Sequence, residues 1–99
     1  MDKKLVLQAK KHDKEAFVKL VENYQVSMYK TAIAILQNDE DAADAIQETI
    51  LICWEKIGSL RNAKFFKTWM TRILIHRCYA IYNENKRTVT ADNFPDVMD

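Results

Sequence analysis

The sequence predicts an all-α domain, and three observations support this prediction. Only one Gly and one Pro occur in 99 residues, whereas hairpin turns depend on such residues to reach their special backbone angles. Long segments repeat their apolar residues every three or four positions, which is the helical period. Hydrophobic residues make up 48% of the chain, enough for one core. We therefore predict a compact bundle of three main helices plus a short N-terminal helix.

The first half of the chain predicts two of these helices. Residues 4–11 form a short amphipathic segment, and Asp13 follows as a suitable N-cap for a long helix that begins at Lys14. The spacing of the apolar residues then predicts one helical face, buried in the core. This face carries Phe17, Leu20, Val21, Tyr24, Met28 and Ile35.

A polar cluster at residues 37–41 predicts a turn, and its carboxylates favour the N-terminus of the next helix, residues 39–57. Gly58 stands where a left-handed C-cap is expected, residues 58–63 are predicted as a loop, and Asn62 could cap the last helix. The predicted core stripe of the helix over residues 39–57 comprises Ala43, Ile46, Ile50, Cys53 and Ile57.

The last main helix is predicted over residues 65–87 and would be about 34 Å long. After residue 87 the helical periodicity is lost and Pro95 occurs. We therefore expect a helical domain over residues 1–87, followed at residues 88–99 by an acidic tail or the beginning of an interdomain linker. The predicted apolar face of the last helix consists of Phe66, Met70, Ile73, Leu74 and Ile81.

Charge is distributed in blocks along the chain. The net charge is +1, but residues 1–38 carry 7 basic and 4 acidic groups, whereas residues 39–56 carry 1 and 6. Residues 57–87 carry 7 basic and 1 acidic group, and residues 88–99 carry 0 and 3. The resulting blocks of +3, −5, +6 and −3 predict two surfaces of opposite sign.

The acidic helix has a second sector beside its core stripe. This docking strip combines carboxylates, an amide and large apolar side chains, a mixture that is typical of protein interfaces. An acidic strip would favour a basic protein partner and repel nucleic acid. Alternatively, Trp54 belongs to the core and the carboxylates form a solvated face. The strip comprises Asp44, Gln47, Leu51 and Trp54, with Glu48 at its margin.

The last helix has a basic and aromatic stripe opposite its apolar face. Its cations can neutralise phosphates, its polar groups can bond base edges, and its rings can stack on unpaired bases. The stripe therefore predicts binding to single-stranded or partly opened nucleic acid; alternatively it is a solvated face with Trp69 and Tyr79 packed against neighbours. Arg77 falls in the apolar sector, so it needs a carboxylate partner or must snorkel past the core. The stripe comprises Trp69, Arg72, His76, Tyr79, Asn83, Lys86 and Arg87.

Several kinds of chemistry lack support in the sequence. His12, His76, Cys53 and Cys78 have no metal-ligand spacing, no Gly-rich phosphate loop or serine nucleophile motif occurs, and no cofactor is implied. We expect no catalysis. The two cysteines lie in apolar patterns, as expected for buried thiols in a reducing compartment. Neither a signal peptide nor a stretch long enough to span a bilayer is found, so we expect a cytoplasmic protein.

Two motifs resemble region two of bacterial sigma-70 family factors, in particular the extracytoplasmic-function (ECF) group. Residues 41–49, DAADAIQET, followed by Trp54, resemble the D-x-x-D-x-x-Q-E-[TS] stretch of that region. Residues 66–73, FKTWMTRI, and 76–79, HRCY, resemble its promoter-melting and minus-ten recognition helix. The order and separation of the motifs also agree, and the resemblance covers roughly residues 9–87.

The resemblance implies a transcription initiation domain. The docking strip, Asp44, Gln47, Glu48, Leu51 and Trp54, would bind the clamp helices of the largest subunit of core RNA polymerase. The stripe and the preceding loop over residues 58–64 would bind the minus-ten non-template strand, the loop by capturing a flipped base. This adds Arg61, Asn62, Lys64 and Lys67 to the expected DNA-binding residues.

An anti-sigma factor is a further expected partner, because members of this group are usually held inactive by one. Region four, the helix-turn-helix domain of a full factor, has no counterpart in these residues, so we expect an excised region-two fragment or a truncated factor. The alternative function is a helical interaction module whose basic stripe binds an acidic protein.

Overall fold

The computed structural model describes the backbone of residues 2–93 and the side chains of residues 2–87. Five α-helices and two short 3-10 helices account for most of this part of the chain, which contains no strand. The α-helices are α1 (Asp2–Lys10), α2 (Lys14–Asn23), α3 (Gln25–Leu36), α4 (Asp39–Lys56) and α5 (Phe66–Asn93); the 3-10 helices are Ile57–Ser59 and Ala63–Phe65. The all-α prediction is confirmed.

The long helix predicted from Lys14 is divided at Tyr24 into α2 and α3. Asp13 caps α2 as predicted, its side chain accepting from the Ala16 N–H at 3.2 Å. Tyr24 has φ −112° and ψ 9°, outside the helical range, and separates the two helices. Its side chain is held by distant partners, with the hydroxyl bonded to Asp2 and the ring against Phe66. Such contacts across the bundle are invisible to helical periodicity.

The turn before α4 and the start of that helix follow the prediction. Gln37 adopts a left-handed conformation with φ 54°, and the Asn38 side chain accepts from the Asp41 N–H at 2.9 Å. Three carboxylates, Asp39, Glu40 and Asp41, then occupy the first turn, where the helix dipole favours negative charge.

The predicted left-handed cap at Gly58 is wrong. Gly58 does not have a positive φ, and residues Ile57–Ser59 continue right-handed as a 3-10 helix. The Ser59 hydroxyl donates to the Lys56 carbonyl at 2.6 Å, so a side chain satisfies a helix-end acceptor that a left-handed cap would otherwise serve. Ile57 and Leu60 are buried on either side of this turn, which directs the chain back to the core.

Asn62 is a cap, as predicted, but for the 3-10 helix that leads directly into α5. Its side chain accepts from the Lys64 N–H at 3.0 Å. Helix α5 then continues past its predicted end at residue 87 to Asn93, so the expected loss of helix after residue 87 is wrong for residues 88–93. The remainder of the predicted tail, residues 94–99, lies outside the described residues.

Helices α4 and α5 are antiparallel, and small residues of α4 face the core. The predicted stripe on α4 is displaced, because Ala43 is exposed and Ile46 and Ile50 are half-buried. Short side chains instead allow close approach of the neighbouring helices, and the Thr49 hydroxyl is satisfied by the Ala45 carbonyl at 2.7 Å. The fully buried residues of α4 are Ala42, Ala45, Thr49 and Cys53, and those of α5 as far as residue 87 are Phe66, Met70, Leu74 and Cys78.

The two cysteines are buried thiols, as the sequence predicts. Cys53 and Cys78 are buried free thiols. Burial raises the pKa of Cys53 from 9.0 to about 12 and also raises that of Cys78, since a thiolate is poorly solvated in an apolar interior. Both therefore act as small hydrophobic residues.

Within the described part of the chain, no helix is long and apolar enough to span a membrane.

Candidate nucleic-acid interface and docking surface

The basic and aromatic stripe of α5 is a real surface of the folded domain. Six of its seven members are exposed: Arg72, His76, Tyr79, Asn83, Lys86 and Arg87. On the other side of the same helix Phe66, Met70, Leu74 and Cys78 are buried, so the core holds α5 by one side as far as Cys78. Arg72 and His76 thus lie on the part of α5 that packs against the core, whereas Asn83 and Arg87 lie beyond Cys78, the last buried residue in the described part of the helix.

Trp69 differs from the rest of the stripe because it is half-buried. Its ring lies against Phe66, with 5.9 Å between the ring centroids, and it packs against the core cluster. The alternative interpretation, in which this ring packs against neighbours, therefore holds for Trp69. Tyr79, by contrast, is 50% exposed and can present a face for stacking.

Tyr82 is an exposed aromatic residue that the sequence analysis did not select. It forms an edge-to-face pair with Tyr79, with ring centroids 6.4 Å apart and an interplanar angle of 83°. Together with Tyr79 and the C-terminal end of α3 it lines a cavity of about 400 Å³. The i, i+3 spacing of the two tyrosines could have revealed the pair, but Tyr82 lay outside the angular sector that defined the stripe.

The loop between α4 and α5 forms one wall of a cavity of about 490 Å³. The loop and the start of α5 contribute five lining residues, Asn62, Ala63, Lys64, Phe66 and Lys67. The N-terminal half of the chain contributes three more, Asp2, Lys3 and Tyr24. Asn62, Lys64 and Lys67 were predicted DNA-binding residues and lie together here. Arg61, also predicted, is exposed in the same loop.

Sequence reasoning missed three residues that line this cavity, because Asp2, Lys3 and Tyr24 are separated from the loop by dozens of residues and match no motif. The Tyr24 hydroxyl donates to Asp2 Oδ2, and Asn23 Nδ2 donates to Asp2 Oδ1 at 3.4 Å. Burial, the hydrogen bond to Asp2 and the charge of Asp2 raise the pKa of Tyr24 from 10.0 to about 12. Tyr24 therefore stays a neutral hydroxyl donor, and Asp2 is held in place.

Helix α1 also supports the loop directly. Lys10 Nζ donates to the Leu60 carbonyl oxygen at 2.6 Å, and Leu60 itself is buried. A charged donor to a partly buried carbonyl is among the stronger hydrogen bonds of proteins. The position of the loop is thus set by a helix at the other end of the sequence.

The docking strip on α4 is only partly a free surface. Asp44, Gln47 and Leu51 are exposed, with Leu51 at 59%. Trp54 is half-buried, with its ring 5.1 Å from that of Phe17 and 5.3 Å from that of His12 between centroids. Trp54 therefore lies partly in the core, and its role in docking stays a prediction.

Glu48 has a partner within the domain. Arg77 Nε lies 2.9 Å from Glu48 Oε1, which confirms that Arg77, placed in an apolar sector, has a carboxylate partner. The charge of Glu48 is thus shared with α5 and is less available to an external partner. Asp44, Gln47 and Leu51 remain as the exposed centre of the docking strip.

Residues 20–88 match the model of the Sigma-70 region 2 family. This match covers more than half of the chain, and the chain belongs to that family. The resemblance to ECF sigma factors is confirmed by the curated relatives and by a solved structure.

Two relatives come from Bacillus subtilis (strain 168). The chain is 34% identical over 73 residues to the ECF RNA polymerase sigma factor SigW, covering 74% of this chain and 39% of SigW. It is 23% identical over 87 residues to the RNA polymerase sigma factor SigV, covering 88% of this chain and 52% of SigV. The chain thus spans between two fifths and about half of the length of these relatives.

The fold also matches a solved structure, the NMR structure of an engineered region 2 of sigmaE in complex with GTAAAA. The TM-score is 0.81 at 25% sequence identity, and the match covers 89% of this chain and 92% of the other. The similarity therefore extends over nearly the whole domain.

Proposed function

We propose that this chain is the promoter-recognition and polymerase-docking domain of an ECF sigma factor, acting in the cytoplasm by binding and not by catalysis. It would bind the minus-ten non-template strand and the clamp helices of the largest subunit of core RNA polymerase. The observation that carries the proposal is the exposed basic and aromatic stripe of α5. The first residues of the same helix, together with the preceding loop, line a cavity that contains several lysines.

The stripe and the cavity have complementary chemistry for an opened DNA strand. Arg72 and Arg87 can neutralise phosphates along α5, and Tyr79 can stack on a base. A flipped base needs a pocket that returns the energy lost on unstacking, and the cavity of about 490 Å³ is in the size range of small-ligand sites. Lys64 and Lys67 at its wall would hold the phosphates that flank such a base.

The docking strip provides a separate surface on α4. Asp44 and Gln47 supply polar groups around Leu51, and an exposed apolar side chain framed by polar ones is suited to the centre of an interface. The acidic character of α4 would attract a basic protein surface and keep DNA away from this side. DNA and polymerase would therefore bind without competing for the same residues.

An anti-sigma factor is the further partner that we propose. It would inhibit the domain by covering the docking strip or the stripe, since either contact is needed for initiation. The rival function, an interaction module that binds an acidic protein through the stripe, is not favoured, because the family of the chain and the matching sigmaE complex both favour transcription initiation.

The test is binding of a fluorescently labelled single-stranded hexamer, GTAAAA, in increasing salt. A single-strand complex loses affinity with a log–log slope of about 0.7 per neutralised phosphate, so Arg72→Ala should lower both the affinity and this slope. Lys19→Ala is the matched control, because Lys19 is an exposed cation on α2. Salt-independent binding, or equal effects of the two variants, would overturn the DNA-binding proposal.

A further inference from the structure

We propose that Asp2, at the start of α1, determines which base the cavity of the α4–α5 loop accepts, by receiving a hydrogen bond from the base's exocyclic amino group. This inference rests on the proposed function, in which that cavity holds a base. It assigns a role in base specificity to α1, which lies far from α5 in sequence and outside both motifs that resemble the family.

The lining of the cavity contains one carboxylate, which only accepts hydrogen bonds, among several side chains that can donate them. Of the eight residues that line it, Asp2 carries the carboxylate, whereas Lys3, Lys64 and Lys67 carry ammonium groups and Asn62 an amide. Phe66 and Ala63 supply apolar surface for the ring. An ionised carboxylate accepts hydrogen bonds and donates none, so a base group that faces Asp2 must be a donor.

Asp2 is held so that it can discriminate. One of its oxygens accepts from the Tyr24 hydroxyl and the other from Asn23 Nδ2, while Tyr24 itself is positioned by its ring contact with Phe66, at 5.8 Å between centroids. A carboxylate has about four acceptor sites, so these two bonds leave acceptor capacity. A preorganised acceptor cannot turn away from a mismatched group, and this is what makes it selective.

A purely structural role is the competing explanation for Asp2. Its charge favours the first turn of α1, and its two hydrogen bonds tie α1 to the end of α2. Such a role would alter the stability of the domain, or its affinity for every base alike. Direct contact with the base would instead alter the ratio between two bases, which is the quantity to measure.

Cytosine and uracil form the most informative pair of bases. They have the same size, and they differ at position 4, where cytosine has an amino donor and uracil a carbonyl acceptor, with a matching change at N3. Carboxylates pair with the cytosine amino group, whereas a carbonyl facing Asp2 would place two acceptors together. At the position of the hexamer whose base enters the cavity, we expect cytosine to bind about tenfold more tightly than uracil, in the range of a single base-reading contact.

The experiment uses hexamers derived from GTAAAA in which each position in turn carries cytosine or deoxyuridine, titrated against the unmodified protein and Asp2→Asn. The amide of Asp2→Asn can still accept from Tyr24, but it can also donate to a carbonyl. We expect one position with a cytosine preference of about tenfold, reduced to within about twofold by Asp2→Asn. Asp13→Asn is the matched control, since Asn caps helices as well as Asp does.

The outcomes separate this inference from the proposed function. Salt-dependent binding without a cytosine preference at any position would overturn the role of Asp2 and leave the DNA-binding proposal intact. The role of Asp2 would also be overturned if Asp2→Asn kept the cytosine preference, or if Asp2→Asn lost the same affinity for both bases. Failure of all hexamers to bind would overturn both proposals. Thermal unfolding of Asp2→Asn, compared with Asp13→Asn, shows whether the variant is folded.

Discussion

Arg77 of α5 and Glu48 of α4 form an ion pair, with 2.9 Å between Nε and Oε1, that joins the helix of the basic and aromatic stripe to the helix of the docking strip. The side chains are 38% and 45% exposed, so solvent screens the attraction between them. The pair therefore links α4 to α5 but contributes little to the stability of the fold.

Replacing either partner of this ion pair should cost little stability. We expect Glu48→Gln and Arg77→Met each to lower the free energy of unfolding by about 1 kcal/mol or less, with a coupling of about 0.5 kcal/mol between them. Urea denaturation of the two single variants and the double variant measures this coupling. A coupling of several kcal/mol would show that the pair is a main stabilising contact.

Removal of the Lys10 ammonium should affect the loop before it affects the fold. Lys10→Met keeps the apolar stem but loses the hydrogen bond to the Leu60 carbonyl, at a cost of about 1 kcal/mol. We expect several-fold weaker binding of the hexamer and faster amide exchange in residues 58–64. Lys11→Met, at the exposed neighbouring position, serves as the control for lost charge; an equal effect of the two variants would contradict a positioning role for Lys10.

The two aromatic residues of the stripe should respond differently to truncation. Tyr79→Ala is expected to leave stability within about 0.5 kcal/mol and to weaken single-strand binding by about 1–3 kcal/mol, the value of one base–aromatic stack. Trp69→Ala should instead destabilise the domain by about 2 kcal/mol or more, because its ring packs against the core. Thermal unfolding and hexamer titrations separate the effects, and Tyr29→Ala, an exposed tyrosine on α3, is the control.

Within the docking strip, Leu51 is the residue to truncate. Leu51→Ala should weaken binding to a fragment containing the polymerase clamp helices by about tenfold without a large change in stability, because the side chain is 59% exposed. Leu7→Ala removes a comparably exposed leucine from α1 and should leave binding unchanged. Unchanged binding by Leu51→Ala as well would mean that the partner contacts another surface.

Stability should fall at alkaline pH because of Cys53. Burial raises its pKa in the folded state to about 12, above the ordinary thiol value of 9.0, so its contribution to stability is complete below about pH 9 and is lost as pH rises towards 12. In that window the unfolded state releases a proton that the folded state keeps, which costs up to about 1.4 kcal/mol per pH unit. Cys53→Ala, although less stable at neutral pH, should show a flatter decline in denaturation experiments; an equally steep decline would assign the effect to other groups.

Helical periodicity predicted the helices, but not where the first long helix ends. Its apolar series passes through Tyr24 without interruption, and the break there depends on Asp2 and Phe66, which are remote in sequence. The Gly58 cap was predicted from residue type alone, whereas the buried Ile57 and Leu60 turn the chain in a right-handed 3-10 helix.

The stripe on α5 was predictable because its members lie on one helix, where about 100° per residue determines which side chains share a face. The sequence by itself thus determined the helical class, the side of α5 that packs against the core, and the family, and it left two alternatives for Arg77, a carboxylate partner or snorkelling past the core. Tertiary structure alone decided that Arg77 pairs with Glu48, that Trp54 and Trp69 lie partly in the core, and that Asp2 lines the same cavity as the α4–α5 loop. The physical reason is that local spacing determines directions around one helix axis, whereas contacts between helices depend on how all the side chains pack at once.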